Sequence, residues 1–392
     1  MRHRRSTGRA GRPLHELVGD AFEVEIVPLL DAVQYTPAYL RKNPNHFVPT
    51  LEITMEDGAS MHMIESGAMV ALLADAFPEK RLAPRVGSWL SKRLEDGMAT
   101  PFAGVQAPSV YRHKVGAFEI TVLSDGNLAL EATVFHGDQA RAQKLLEAAF
   151  LPRVAIPTAV NEWLINTGEK LILVDTGASN VFLPTLGRLP QNLAAAGVDP
   201  SAVDAVVITH MHPDHVPGLL APDGTMMFKN AIVHVNGDEY AFWTSNEIRE
   251  KAPEAVRPFF DLAKAAIKPY TDAGKVQMHK DGTTFAPGIT AVAAPGHTVG
   301  HTMVRISSSG NDLLIWGDIV HNAALQFPEP DRSTAFDNDP AMAIANRRKV
   351  FDMVASDKVV FAGAHLPFPG LGRASKASSG FTYVPLQHAE AL

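Results

Sequence analysis

Three histidines and an aspartate fall within six residues of the stretch THMHPDH: His210, His212, Asp214 and His215. Imidazole and carboxylate are ligands for zinc and its first-row neighbours, and histidines at alternate positions of an extended backbone can point to one side. A lone histidine is ordinarily a surface or capping residue. Four such residues in the order HxHxDH point to metal binding instead, with Asp214 and His215 able to serve a second ion. The apolar run Val206-Val207-Ile208 ahead of them reads as a short buried strand, and Pro213, Pro217 and Gly218 mark a loop. The cluster therefore sits at a strand's end, where α/β sheets present reactive groups on a rigid scaffold.

Three further residues repeat a syntax of strand, small residue, ligand: His297 in AVAAPGH, Asp318 in LLIWGD and His365 in VVFAGAH. Glycine or alanine just before the ligand lets the backbone approach the site closely. Asp175 in LILVDTG is placed in the same way and suits a role behind the ligands, accepting a hydrogen bond from an imidazole and fixing its tautomer. His301 and His321 each stand a few residues past a ligand, as supporting donors, proton carriers or packing residues. Trp163 and Trp243 lie near the motif loops and are candidates for lining an apolar substrate pocket.

The elements that must position these groups alternate along 392 residues, of which 46% are hydrophobic. FEITVLSDGNLAL reads as a strand, and NEWLINTGEKLILVDTG as two strands with a hairpin turn near Gly168. FLPTLGRLPQNLAAAGVDP reads as a helix closed by Gly197. VDAVVITH, ITAVAAPGH and DLLIWGD return to strand, and FHGDQARAQKLLEAAFLPRVAIP reads as a helix and loop near the mouth of the site. The chain has no cysteine, so disulfides, thiolate metal sites and a cysteine nucleophile are excluded, and any metal must be held by nitrogen and oxygen. A net charge of −7 gives no reason to expect nucleic acid or an anionic membrane as partner. No apolar run approaches a bilayer span, and a cytoplasmic location is expected.

The ordered motif set resembles the metallo-β-lactamase-fold hydrolases over roughly residues 110 to 385. The segments THMHPDHVPGL, APGHTVGHT, WGDIVHNAALQFPEP and FDNDPAMAIANRRKVFDMVASDKVVFAGAHLPFPGLG are similar to the methyl parathion hydrolase and lactonase-like group within it. The resemblance implies an α/β fold, the αβ/βα sandwich, with the site at one edge between two sheets. It implies one metal on His210, His212 and His297, another on Asp214, His215 and His365, and Asp318 as the bridge. Two divalent ions are expected, zinc first, with manganese, cobalt or iron also suited to these donors. A hydroxide between them would attack a lactone, aryl ester or organophosphate triester, with Asp214 as a catalytic proton shuttle.

The first hundred residues differ in character. Residues 1–15, with five arginines before Glu16, read as a basic, disordered tail, and no apolar segment follows that would make a secretory signal. HFVPTLEITMEDGASMHM reads as a strand pair turning at Asp57-Gly58. With NPNHFVPTLE, the Glu65-Ser66 pair and ALLADAFPEKRLAP, residues 16–85 resemble the thioredoxin-like half of glutathione transferases, truncated here. That resemblance implies a glutathione contact at Val48, Glu65 and Ser66. Residues 86–109 read as a helix and linker, and 110–392 as the hydrolase domain. Two other readings follow from this module. In one, the enzyme hydrolyses a glutathione thioester or oxidises a glutathione persulfide. In the other, the module is a surface for homodimerisation.

Overall fold

The computed structural model describes residues 51–54, 60–63, 106–179 and 181–388. The chain divides into two compact units, residues 1–104 and 105–392. In the first, strands β1 (Leu51–Thr54) and β2 (Ser60–Met63) pair antiparallel with Leu51 opposite Met63 and Thr54 opposite Ser60. This is the pairing that the pattern on either side of Asp57-Gly58 predicts. The remainder of the thioredoxin-like reading lies outside the described residues.

The second unit is built on two seven-stranded sheets. The first runs in chain order through β3 (Val110–Val115), β4 (Phe118–Leu130), β5 (Ile156–Asn166), β6 (Leu171–Val174), β7 (Ala205–Val207), β8 (Ile232–Asn236) and β9 (Val276–His279). Its first four strands are antiparallel and β6 to β9 are parallel. The second runs through β10 (Thr284–Ala286), β11 (Ile289–Ala293), β12 (Thr302–Ser308), β13 (Asn311–Ile315), β14 (Val360–Ala362), β15 (Leu371–Lys376) and β16 (Phe381–Pro385). Only β13 and β14 are parallel in it.

Side chains alternate across each strand, and here both faces are covered. Ile120, Val122, Trp163, Ile165, Ile172, Val174 and Val207 face Ile289, Val304, Ile306, Leu313 and Ile315 of the other sheet in one buried cluster. Their neighbours Leu123, Leu164, Leu173 and Val206 turn outward and pack under helices. Those helices include α1 (Gln139–Ala148), α2 (Leu189–Ala195), α3 (Gly237–Thr244), α4 (Asn246–Lys251) and α5 (Arg257–Asp272), followed by α6 (Ala323–Gln326) and α7 (Pro340–Ser356). Phe260, Ala263, Ile267 and Tyr270 recur at helical spacing on α5 and bury its inner face on the first sheet. Val350, Phe351 and Val354 of α7 do the same for the second, against Leu314, Trp316 and Phe361. The layers are thus helix, sheet, sheet, helix.

Two local expectations are corrected. The helix predicted to begin at Phe182 is confined to Leu189–Ala195, and Gly197 at φ +80° follows its end. Trp163 is a core residue and lines no pocket. The period-2 alternation of β5 sends it, with Ile165, into the layer between the sheets, where it is fully buried. No helix among the described residues is long and apolar enough to cross a membrane. Replacing Trp163 by alanine is expected to lower the unfolding free energy by about 3–5 kcal/mol in urea denaturation. A loss below about 0.5 kcal/mol, the range of ordinary surface substitutions, would refute its core role.

Candidate metal centre

Asp175 and the seven residues expected to hold metal all lie past the C-terminal ends of strands, at one edge of the sandwich. Asp175 follows β6, His210 to His215 follow β7, His297 follows β11, Asp318 follows β13 and His365 follows β14. Ligand atoms of His210, His212, His297 and Asp318 all lie within 4.8 Å of one another, as do those of Asp214, His215 and His365. Asp318 joins the two groups: Oδ2 is 3.3 Å from His297 Nε2 and 3.0 Å from His365 Nε2, and Oδ1 is 3.3 Å from His215 Nε2. His321 joins them too, with Nε2 3.2 Å from Asp318 Oδ2 and its ring stacked on His365 at 5.1 Å.

Four of the five ligand imidazoles are fixed from behind through Nδ1. His215 donates to Asp175 Oδ2 at 2.9 Å, His297 to Asp337 Oδ1 at 2.9 Å, and His365 to the carbonyl of Ala159 at 2.8 Å. The Thr209 hydroxyl donates to Asp175 Oδ2 at 2.7 Å, so it accepts from His210 Nδ1 at 3.0 Å. Each such bond leaves an Nε2 lone pair aimed into the cluster. His212 is reversed: its Nδ1 faces inward, 3.1 Å from His210 Nε2 and 3.0 Å from His297 Nε2.

A cluster of this kind needs a cation. Inside it, His215 Nε2 and Asp318 Oδ1 are buried without a hydrogen-bond partner, and an orphaned buried polar atom is costly. Nitrogens bound to zinc at 2.0–2.1 Å stand about 3.3 Å apart at a tetrahedral angle, so a small opening of the three inward-facing nitrogens admits an ion. Burial holds His210 and His212 well below the usual imidazole range, which keeps their lone pairs free at neutral pH. Burial would raise the Asp318 carboxyl, but His365, His215, His210 and His321 around it hold it well below the usual carboxylate range. The donor set, five nitrogens and carboxylate oxygens, fits a pair of divalent ions.

Backbone geometry explains the small residues ahead of the ligands. Gly317 sits at φ +55°, and a Cβ there would come within 2.7 Å of His301 Nε2. That nitrogen accepts the amide N–H of Asp318 at 3.0 Å. His301 thus supports the Asp318 loop from behind, as an acceptor and not a donor, and burial followed by the charge of His297 lowers its pKa to about 3. Asp175 stands where the sequence places it, accepting from both Thr209 and His215. Val48, Glu65 and Ser66 lie outside the described residues.

A cavity of about 640 Å³ opens onto the cluster. Its lining combines His212, Asp214, His297, Asp318, His321 and His365 with the aromatic side chains of Phe182, Phe242, Trp243, Phe259, Phe260 and Phe336. Trp243 is thus a wall residue, its ring 5.3 Å from that of His212. Helix α1 is absent from the lining. It packs against α6, and its preceding loop takes hydrogen bonds from Arg332 at the carbonyls of His136 and Asp138. Sequence reasoning missed Asp337, Glu239 and Asn161. Asn161 Nδ2 donates to the carbonyls of Gly363, Ala364 and Leu366 and so holds the His365 loop across the sheets. None carries a local signal, because the bonds that tie each to a ligand loop cross at least 28 residues of sequence.

Residues 155–365 match the family model of the metallo-beta-lactamase superfamily. The chain is 30% identical over 141 residues to a beta-lactamase-like protein 2 homolog of Caenorhabditis elegans, covering 36% of this chain and 38% of that protein. To the Drosophila melanogaster homolog it is 24% identical over 174 residues, covering 43% and 51%. The chain thus spans about half or less of the length of the curated relatives it matches. Among solved structures, the hydrolase AbOPH of the beta lactamase superfamily is 32% identical with a TM-score of 0.70, covering 73% of this chain and 100% of that one. AidC, a dizinc quorum-quenching lactonase in complex with a product, is 28% identical with a TM-score of 0.68, covering 72% and 99%. Because the family match takes in more than half of the sequence and the whole ligand cluster, the chain belongs to the metallo-beta-lactamase superfamily.

Proposed function

We propose that the enzyme hydrolyses a neutral lactone, aryl ester or organophosphate triester that carries an apolar group. The observation behind this reading is the cavity, whose lining joins the ligand cluster to six aromatic rings, Phe182, Phe242, Trp243, Phe259, Phe260 and Phe336. Among its described lining residues, Lys251 is the sole lysine or arginine, and its Nζ is paired with Glu247 at 2.6 Å. A substrate carrying a phosphomonoester or a free carboxylate would lack an anion pocket there, whereas a neutral ester is well matched. The likeness to AidC supports a lactone among these substrates.

His210, His212, His297 and Asp318 would hold one divalent ion, and Asp214, His215, His365 and the second oxygen of Asp318 the other, with zinc as the first choice. When bound, such a pair supplies a water nucleophile acidified to near neutral pH and polarises the scissile carbonyl or phosphoryl oxygen. The chain's own residues do the rest. Asp214 places Oδ2 3.6 Å from His215 Nε2 and 3.4 Å from His365 Nε2, which leaves Oδ1 to take up the proton released as the nucleophile attacks. The aromatic wall excludes water and seats the apolar part of the substrate, so that its electrophilic atom falls over the cluster. A serine or cysteine nucleophile is not needed.

The purified protein is expected to contain about two metal ions per chain. It should turn over at least one of an acyl homoserine lactone, an aryl acetate and methyl paraoxon, with loss of activity in chelator and recovery on adding zinc. One iron per chain, or activity confined to S-lactoylglutathione, would overturn the proposal in favour of a glutathione-linked enzyme. Asp175→Ala and Asp337→Ala, which remove the acceptors behind His215 and His297, should each weaken zinc binding about 10- to 100-fold in competition with a chromophoric chelator. Wild-type affinity in both variants would show that these carboxylates do not tune the ligands.

A further inference from the structure

Glu239 is fully buried, carries no metal-facing atom, and is used by none of the steps above. It stands in the first turn of α3, whose N-terminus is capped by Asn236. Its Oε1 accepts the amide N–H of Met211 at 2.9 Å and the indole N–H of Trp243 at 2.7 Å. Its Oε2 accepts the amide N–H of Gly300 at 2.8 Å. Met211 lies between His210 and His212, Gly300 is three residues past His297, and Trp243 is a wall of the cavity. Gly300 is a requirement of this contact: a Cβ there would meet Asn236 Oδ1 at 2.6 Å and Glu239 Cβ at 2.7 Å. Burial pushes the Glu239 carboxyl upward, and the bonds from Met211, Gly300 and Trp243 work against that rise.

One carboxylate therefore touches two ligand-bearing loops and the aromatic wall. A purely structural tie between the loops would need only the bonds to Met211 and Gly300. The third bond, to Trp243, joins them to the ring that a substrate's apolar group meets. That ring also packs edge-on to His212 and lies 4.6 Å from Phe260. Resting on the metal-centre reading above, we infer that Glu239 is a positioning residue that couples filling of the apolar cavity to metal affinity. An apolar ligand packed on Trp243 fixes the indole N–H, which fixes the carboxylate and with it the separation of His212 from His297. By linkage, metal binding then tightens the apolar ligand by the same factor.

The test is zinc affinity of the full-length protein, measured by competition with a chromophoric chelator, with and without 1-octanol as a neutral occupant of the cavity. Octanol should tighten zinc binding by about fivefold or more in the wild-type protein, the lower end of ordinary coupling between sites. Trp243→Phe deletes the indole N–H and leaves the bonds to Met211 and Gly300, so its response should fall below about twofold. Glu239→Gln, which loses one accepting oxygen, should also flatten the response. An unchanged octanol response in Trp243→Phe would overturn the inference, as would tight zinc binding by the wild-type protein that octanol leaves unaltered. A wild-type protein that binds no zinc would overturn the metal-centre reading, and the inference with it.

Discussion

The crowding of inward-facing lone pairs around Asp318 is the constraint on which the rest of the structure depends. Five imidazoles and two carboxylates bring their ligand atoms together in a space from which water is largely excluded. Histidine lone pairs do not attract one another, and a carboxylate loses much of its hydration when buried. Such an arrangement persists only if something outside it fixes each ring. The fold provides this through acceptors set one layer back: Asp175, Asp337, the Thr209 hydroxyl and the Ala159 carbonyl. All but Thr209 sit on segments distant from the ring they hold, so the cluster is assembled mainly by tertiary structure.

Placing two carboxylates behind histidines that already surround two more concentrates negative charge in the core. The surrounding residues answer this differently at each group. Asp125 spends its oxygens on the amides of Ala178, Gly187 and Leu189. Glu162, fully buried with neither oxygen hydrogen-bonded, is pushed well above the ordinary range by burial, with Asp125 and Asp175 adding to the rise. That shift favours the uncharged form of Glu162, the direction that limits negative charge beside Asp175.

What the sequence disclosed was what is local or repeated. HxHxDH needs only a short loop to converge, and the strand-then-ligand syntax at His297, Asp318 and His365 survives as strand ends at one edge. Asp175 could be found because it obeys the same syntax. The two tryptophans show where such reasoning stops. Both lie near ligand loops, yet Trp163 faces the other sheet and Trp243 faces the cavity. In a four-layer sandwich both faces of a strand are buried, so alternation of apolar residues no longer reveals which face is which. The manner in which His301 supports the site was hidden for a related reason. Its place after a ligand suggested chemistry, but its role is set by a glycine sixteen residues on, whose backbone closes against it. Asp337 lies forty residues from His297 and was invisible until the chain was folded.

The aromatic wall has a consequence for how such an enzyme can vary. Trp243 and Phe260 line the cavity and are also members of the cluster that packs α3 and α5 onto the first sheet. Phe182, by contrast, comes from the segment between β6 and α2 and reaches the wall through an edge contact with Phe259 at 6.0 Å. Truncating Trp243 or Phe260 to reshape the cavity must open a void in a close-packed core, with a stability cost in kcal/mol that the fold has to absorb. Phe182 is only partly buried and packs on the small cluster of Leu128, Val160, Ala178 and Leu186, outside the main core under α3 and α5. Within this architecture the walls given by Trp243 and Phe260 are tied to the main core, whereas the wall given by Phe182 rests on a smaller cluster and costs less to change. Differences in substrate among proteins of this build are therefore expected to begin at the segment carrying Phe182, before they reach the helices that hold the metal loops in place.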